Sequence, residues 1–379
     1  MPRSTLNSKW GIPPWQIDFH PAGDPIPAHV DFAVVGGGFT GLSAAASLRR
    51  LAPGKSVALF ESYSIGAASS GHTGGMTLAE TAVGDLPGLG DVLAGFSATL
   101  TDLSVGCDLK LPGVWEVARS GALPDSPISW NDSGVLRAVK QVPGGTIDPG
   151  RLVSGLARSA QAAGARIFEN AAVENIEFTQ PLRLHVSGAT VHAEAVLLAT
   201  NAMSLGLNGL ADSAQPKFTL AIATEPLPPI QLDDLGLSSG KPFYTVDFPY
   251  LWGRLLPNGG IVFGCGLVHL NDWRELMDLD IAVGEAAKLI GRLERRVRGL
   301  HPALRNIQFT NRWGGPILIP TGWRPVFAYH PMSRNVIVLG GYSGHGVALS
   351  VYLGQWAAEA LCGRRELPEW NSIGEGASG

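Results

Sequence analysis

The chain of 379 residues is poor in several features, and each scarcity excludes something. It has three cysteines, Cys107, Cys265 and Cys362, far apart and with no C-x-x-C among them. That excludes a disulfide framework and a cysteine-pair zinc site, and it suits a reducing compartment. Neither sign of charge is in excess: 28 Lys+Arg stand against 32 Asp+Glu, a formal net charge of -4, so no basic footprint for nucleic acid is present. No apolar run approaches the roughly 18 residues of a membrane span, and the opening MPRSTLNSKW lacks the apolar core of a signal peptide. The expectation is a cytoplasmic protein with no membrane and no nucleic-acid partner. No internal repeat and no metal-ligand cluster stands out. What the chain has in plenty is glycine, 49 residues, set inside apolar sequence rather than in low-complexity tracts. That placement reads as nucleotide loops and tight turns.

The most telling stretch is residues 31–61. Phe32 to Val35 is an apolar run of the kind buried in a parallel sheet. It breaks at Gly36-Gly37-Gly38-Phe39-Thr40-Gly41 and passes directly into an Ala/Leu-rich helix, and a second strand, Val57 to Phe60, ends at Glu61. This is a G-x-G-x-x-G turn in its required setting, with an acid 20 positions after the last glycine. Gly36 permits the turn, Gly38 lets the backbone approach a pyrophosphate, and Gly41 lets helix and strand pack closely. The pyrophosphate then meets the free N–H groups of the helix that begins near Phe39 and Thr40. Glu61, followed by Ser62, can accept hydrogen bonds from a ribose diol. The chain binds a dinucleotide.

Further along, residues 1–29 read as an irregular, Pro- and Trp-rich arm laid over the surface. A glycine- and serine-rich loop follows the βαβ unit, from Ser64 to Met76. Short strands and turns are expected from Gly84 to Gly144, then a helix from Asp148 to about Ala163. Strands follow at 166–168 and 172–178, then a hairpin at 182–191 and a buried strand from Ala195 to Ala199. Strand-like sequence runs from Lys217 to Phe263, and an amphipathic helix spans about Asp280 to Val297. The last strand, Val336 to Leu339, leads through a glycine turn into a helix from Gly346 to Leu361. Nucleotide-type elements thus lie at the beginning, middle and end, with β-rich sequence between. A second complete nucleotide fingerprint is absent. One large cofactor threaded between discontinuous domains favours FAD. The expected fold is α/β, a Rossmann-like FAD-binding domain of the glutathione-reductase type with a discontinuous β-rich α+β substrate domain. The expected bounds are 1–83, 145–215 and 326–379 for the first domain, 84–144 and 216–325 for the second.

Several motifs, in order, resemble the D-amino-acid oxidase-like (DAO) family of FAD-dependent oxidoreductases, closest to its γ-glutamylputrescine oxidoreductase-like branch and its glycine and sarcosine oxidases. VVGGGFTGLSAA (34–45) resembles the family's FAD fingerprint, and IGAASSGHTGGM (65–76) its second flavin loop. Residues 144–178 resemble the connecting helix and the strand whose valine, here Val173, meets the adenine. VLLATNAMS (196–204) resembles the A-T-G motif at Ala199 and Thr200, with Asn201 replacing the glycine. AIATEPL (221–227) and YLWGRLLPNGGIVFGCG (250–266) resemble substrate-domain strands, and LGGYSGHGVALS (339–350) the C-terminal flavin motif.

The resemblance implies FAD contacts at Ala68, Ser69, His72, Thr73, Gly74, Gly75 and Met76, at Gly315, and at Gly341, Gly344, His345, Gly346 and Val347. His72 aligns with a histidine that carries a covalent flavin bond in some relatives; a covalent link and a noncovalent contact both stay open. A helix start at Gly346 favours negative charge on the flavin pyrimidine edge, and His345 is placed beside the ring. Tyr250, Trp252 and Arg254 alternate on one expected strand and so share a face. They read either as the walls and anionic anchor of a substrate site or as a core aromatic face with a peripheral arginine. The Arg-Pro pair expected soon after W-x-G is missing, since Trp313-Gly314-Gly315 continues into Pro316-Ile317. The implied reaction is oxidation of a primary or secondary amine, or an N-substituted amino acid, to an imine by hydride transfer to flavin N5, with O2 or another acceptor. A flavin monooxygenase-type enzyme and a non-catalytic FAD-containing scaffold are the alternatives.

Overall fold

The computed structural model describes residues 9–370. Its first sheet is Rossmann-like. Strands Ser333–Gly340, Ala189–Leu198, His29–Val35, Val57–Phe60 and Arg166–Phe168 lie side by side in that order, all parallel. Val326–His330 adds antiparallel at one edge, and a meander of Val173–Glu177 and Leu182–Val186 joins Ala189–Leu198. The strands are apolar without alternation because both faces are covered; all four residues of Val57–Phe60 are buried. Helices Phe39–Leu51, Pro149–Ala162 and Gly346–Leu361 contribute to the apolar cluster on one face. The first and last pack so closely that a Cβ on Gly354 would stand 2.6 Å from the Thr40 carbonyl oxygen.

The second sheet has eight strands, in the order Phe309–Pro320, Ala214–Thr224, Ile261–His269, Trp252–Leu255, Phe243–Thr245, Val114–Ala118, Val135–Val142 and Ser129–Asn131. Neighbours are antiparallel except Phe243–Thr245 with Val114–Ala118. One face buries Phe243, Phe263 and Trp130 in a cluster with Ile290, Leu293 and Val297 of helix Gly284–Leu300. The other face carries Trp252 and Trp313 and turns toward the glycine-rich loop. A short ladder, Met76–Leu78 with Gly144–Thr146, ties that loop to the start of helix Pro149–Ala162. No described helix is long and apolar enough to cross a membrane, and no described group of His, Cys, Asp and Glu could hold a metal ion.

Two expectations change and one is refined. The arm, residues 1–8 of which lie outside the described part, runs over the surface as expected, with most of 11–29 exposed or half-buried, but it is pinned by buried anchors. Trp10, Trp15 and Phe19 are buried. Residues 92–102 form a helix capped by Asp91, whose carboxylate accepts from Ala94 N–H at 2.9 Å; the single capping aspartate was the available signal. The amphipathic helix begins at Gly284, because Asp280 instead closes a turn, its Oδ1 accepting from Ala282 N–H.

Candidate active site

The glycine turn is built as its residue types require. Gly36 has φ +110°, and a Cβ there would stand 2.6 Å from the Ala199 carbonyl oxygen. A Cβ on Gly41 would lie 2.0 Å from the Gly36 carbonyl oxygen, so only glycine lets the helix leave the strand this tightly. Gly38 is the N-cap of helix Phe39–Leu51 and brings no side-chain acceptor. Phe39 N–H donates to Ser70 Oγ at 2.9 Å. Glu61, at the end of the second strand, accepts from Gly37 N–H at 2.7 Å, Tyr63 N–H at 2.8 Å and Ser62 Oγ at 3.2 Å. Burial raises its pKa against those donors. Ala171 N–H donates to the Glu61 carbonyl, which sets Val173, two residues on, beside this end of the site.

The second loop is clamped through its carbonyls. Trp15 Nε1 donates to Gly71 O at 2.7 Å, Trp313 Nε1 to His72 O at 3.0 Å, and Arg254 Nε to Gly74 O. Ser69 Oγ donates to Pro316 O at 2.7 Å. Ser69–His72 is a single helical turn inside what reads as loop. His72 closes it with Nδ1 at 2.9 Å from Ala68 O, while Nε2 is buried without a partner. Burial lowers the pKa of His72, so the ring is neutral with its proton on Nδ1, facing the carbonyl. Its edge meets Trp10, ring centroids 5.7 Å apart, and a Cβ on Gly315 would stand 2.7 Å from its Cβ. Thr73 Oγ1 accepts from Gly75 N–H at 3.4 Å, and Met76 starts the ladder to Thr146.

The middle and C-terminal motifs close on the same line. Asn201 has φ +49°, a conformation asparagine tolerates where a glycine was expected. Its Oδ1 accepts from Gly341 N–H at 2.9 Å and its Nδ2 donates to Ser69 Oγ at 3.2 Å, so one side chain joins three motifs. Asn208 Nδ2 donates to Thr200 Oγ1 at 3.0 Å. The Tyr342 hydroxyl meets Thr40 Oγ1 at 2.7 Å, linking the starts of two helices. Gly344 has φ +90°, and a Cβ there would meet nothing within 4 Å. Helix Gly346–Leu361 also starts without a side-chain cap, and its N-cap His345 is held below its ordinary pKa by burial. Val347 is buried in the first turn.

On the substrate side the three expected residues part company. Trp252 and Arg254 lie in strand Trp252–Leu255, and both reach the loop: Cβ atoms built on Gly74 and Gly75 would stand 2.2 Å from the Trp252 ring and 3.0 Å from Arg254 Nη2. Arg254 is 4% exposed, with its guanidinium 5.5 Å from the Trp15 ring centroid. Burial lowers its pKa to about 10, against the charge of Asp148, and it stays a cation. Tyr250 precedes the strand and is 47% exposed, packed on Phe248. The alternation does not extend to it, because Arg296 Nη1 and Nη2 tether the carbonyls of Tyr250 and Pro249 in a loop.

The sequence profile of the family described as FAD dependent oxidoreductase (DAO) matches residues 31–360. The chain belongs to this family. It is 28% identical to gamma-glutamylputrescine oxidoreductase of Escherichia coli (strain K12) over 386 aligned residues, covering 89% of this chain and 84% of that one. It is 26% identical to a probable oxidoreductase OrdL of Rhizobium meliloti (strain 1021), covering 88% and 83%. Its fold is that of glycine oxidase from Geobacillus kaustophilus, with a TM-score of 0.71 at 19% identity, covering 90% of this chain and 96% of that one.

This DAO-family enzyme is FAD-dependent, and its residues fit the cofactor. A line of contacts runs from Glu61 through the glycine turn to Ser70, from Ser69 through Asn201 to Gly341, and from His72 to Gly74 and Trp252. Helix Phe39–Leu51 has Gly38 as its N-cap and helix Gly346–Leu361 starts at Gly346, both on that line, and neither N-cap spends a side chain on the first-turn N–H groups. By contrast, helices Val92–Asp102 and Pro149–Ala162 are capped by Asp91 and Asp148. The buried, unpartnered Nε2 of His72 is a further polar atom awaiting a partner. Trp10, Trp15, Ser70, Asn201 and Tyr342 were not foreseen as site residues. The tryptophans stand before the family region, whereas Ser70, Asn201 and Tyr342 lie within the quoted motifs, and only their side-chain partners went unread.

Proposed function

We propose that this enzyme oxidises a primary or secondary amine, N-substituted amino acids included, to an imine that water then hydrolyses. FAD, when bound, accepts the two electrons, and O2 or another acceptor takes them on. What supports this reading most is the way Asn201 ties Ser69 of the loop to Gly341 of the C-terminal motif while Trp252 closes on Gly74, which gathers the flavin motifs against one wall of the second sheet. Burial holds both His72 and His345 below the ordinary histidine value. A substrate ammonium buried there would be disfavoured in the same way, and the reaction needs the neutral nitrogen, whose lone pair forms the C=N bond. No dedicated acid–base pair is required, and the enzyme's own part is orientation. Trp252 walls the site beside Gly74, while Arg254 holds the loop carbonyl. The relatives agree in kind, one of them named for an amine substrate. On the same reading, the Rossmann-like sheet with residues 1–83, 145–215 and 326–379 holds FAD, and 84–144 with 216–325 holds the substrate.

The test is a panel of alkylamines, diamines and N-methyl amino acids, scored for anaerobic bleaching of the flavin and for aerobic peroxide. Bleaching by at least one amine is expected. A flavin that no amine reduces overturns the reaction, and bleaching without peroxide assigns an acceptor other than O2.

A further inference from the structure

The register of the second sheet sets a row of side chains on the face that meets the glycine-rich loop. Trp313 opposes Ala221, Ala221 opposes Gly264, Gly264 opposes Trp252, Trp252 opposes Tyr244, and Tyr244 opposes Glu116. Directly opposed residues project to one face. Two contacts identify that face: Trp313 Nε1 on His72 O, and the Trp252 ring against Gly74. Glu116 therefore stands on the cofactor-facing side, two strands beyond Trp252, or about 10 Å along the row. Its Oε1 accepts from the Tyr244 hydroxyl at 2.7 Å, and the side chain is partly buried.

Charge on this face is unevenly used. Arg254, its buried cation, donates Nε to Gly74 O and covers Trp15. Among the described residues, no ion pair involves Glu116, although Lys140 opposes it on the next strand at the exposed end of the row. The cation on this face is thus already engaged by a loop carbonyl, while the carboxylate is oriented by a neutral hydroxyl and has no ion-pair partner among the described residues.

Resting on the amine-oxidation reading, we propose that Glu116, held by Tyr244, binds a second, cationic nitrogen of the substrate. The enzyme then selects a diamine, with a spacer of a few methylenes, over monoamines and over amines that carry a carboxylate. A carboxylate in this position would face Glu116 as a like charge and gain nothing.

The test uses the FAD-loaded full chain and anaerobic flavin bleaching with 1,4-diaminobutane, butylamine and 4-aminobutanoate. Wild type is expected to show a Kd at least tenfold lower for the diamine than for either competitor. Glu116→Gln should raise the diamine Kd at least tenfold more than the butylamine Kd, with a smaller change in the limiting rate, and Glu116→Asp should recover part of the loss. If Glu116→Gln does not hold FAD, Tyr244→Phe carries the comparison and should shift the same ratio in the same direction. Equal losses on diamine and monoamine, or a wild-type preference for 4-aminobutanoate, overturn the proposal while amine oxidation stands. Failure of every amine to bleach the wild-type flavin overturns both.

Discussion

Substituting alanine for Gly38 separates folding from cofactor binding. Gly38 sits at φ −87° and ψ −173°, a conformation open to alanine. Restricting the unfolded chain then stabilises the apo-protein by about 0.4–1 kcal/mol. The new Cβ would stand 2.8 Å from Ser70 Oγ, a hydroxyl that can rotate away. Doing so gives up its bond to Phe39 N–H, at a cost of about 0.5–1.5 kcal/mol. The two effects nearly cancel, and the apo Tm should move by no more than about 2–4 °C. FAD binding has no such compensation. The methyl group stands at the helix mouth where a pyrophosphate approaches the backbone, and losing one charge-assisted hydrogen bond costs about 1.5–3 kcal/mol. That corresponds to roughly 10- to 150-fold in Kd. Apo melting by circular dichroism and quenching of FAD fluorescence on titration measure the two quantities independently. Gly41→Ala is the contrasting control, because its Cβ would lie 2.0 Å from a backbone oxygen that cannot rotate away, and it should not give a stable fold. A folded Gly38→Ala protein that binds FAD as tightly as wild type would refute the assignment of this turn to the pyrophosphate.

Three other predictions follow from the site. His72→Ala should shift the flavin absorbance spectrum, and acid precipitation of wild type reads the bond itself: retained fluorescence reports covalent attachment, full release a noncovalent contact. An unchanged spectrum in His72→Ala removes the ring from the flavin's surroundings. Arg254→Met should lower stability by about 1–3 kcal/mol, since it leaves the Gly74 carbonyl without its donor; a melt no lower than wild type's would show that the clamp is not needed. Apo stability should fall as pH drops through 6.5. His72, His330 and His345 are held below that value by burial, so the unfolded chain binds more protons there. Glu61 acts in the opposite sense, because its pKa is raised on folding and its contribution weakens as pH rises above 4.5. A melt that is flat from pH 7 to pH 5.5 would contradict the histidine assignment.

The cofactor end of this molecule was readable because its chemistry leans on the backbone. A positive φ at Gly36 and a missing Cβ at Gly41 leave glycine as the only choice, and glycine at fixed spacing is visible in a sequence. The strands were visible for a related reason, since burial on both faces writes an unbroken apolar run. The substrate end is made of side chains whose meaning depends on register. Tyr250, Trp252 and Arg254 alternate in the sequence, but only the last two lie in the strand, and Glu116 joins them through pairings more than a hundred residues away. Asn201 was visible as a departure from A-T-G, and its reason was not. Its side chain bonds Gly341 and Ser69, from two distant motifs. The arm was legible as a surface wrapping, but its anchoring was not, since nothing in the sequence says that Trp10 and Trp15 each spend an indole N–H inside the protein.

The placement of that arm bears on how the enzyme is made. Trp10 donates to the carbonyl of Leu276, 266 residues away, and Gly314 N–H donates to the carbonyl of Trp10. On the ribosome Trp10 leaves the exit tunnel long before either partner exists, and strand Ser333–Gly340 of the Rossmann-like sheet follows later still. Trp15 has Gly71 available after only 56 further residues, but the bond from Trp313 to His72 closes only when synthesis is nearly finished. Until then Trp10 has neither Leu276 nor Gly314 to hold it, so the anchoring of this stretch is a late event in folding.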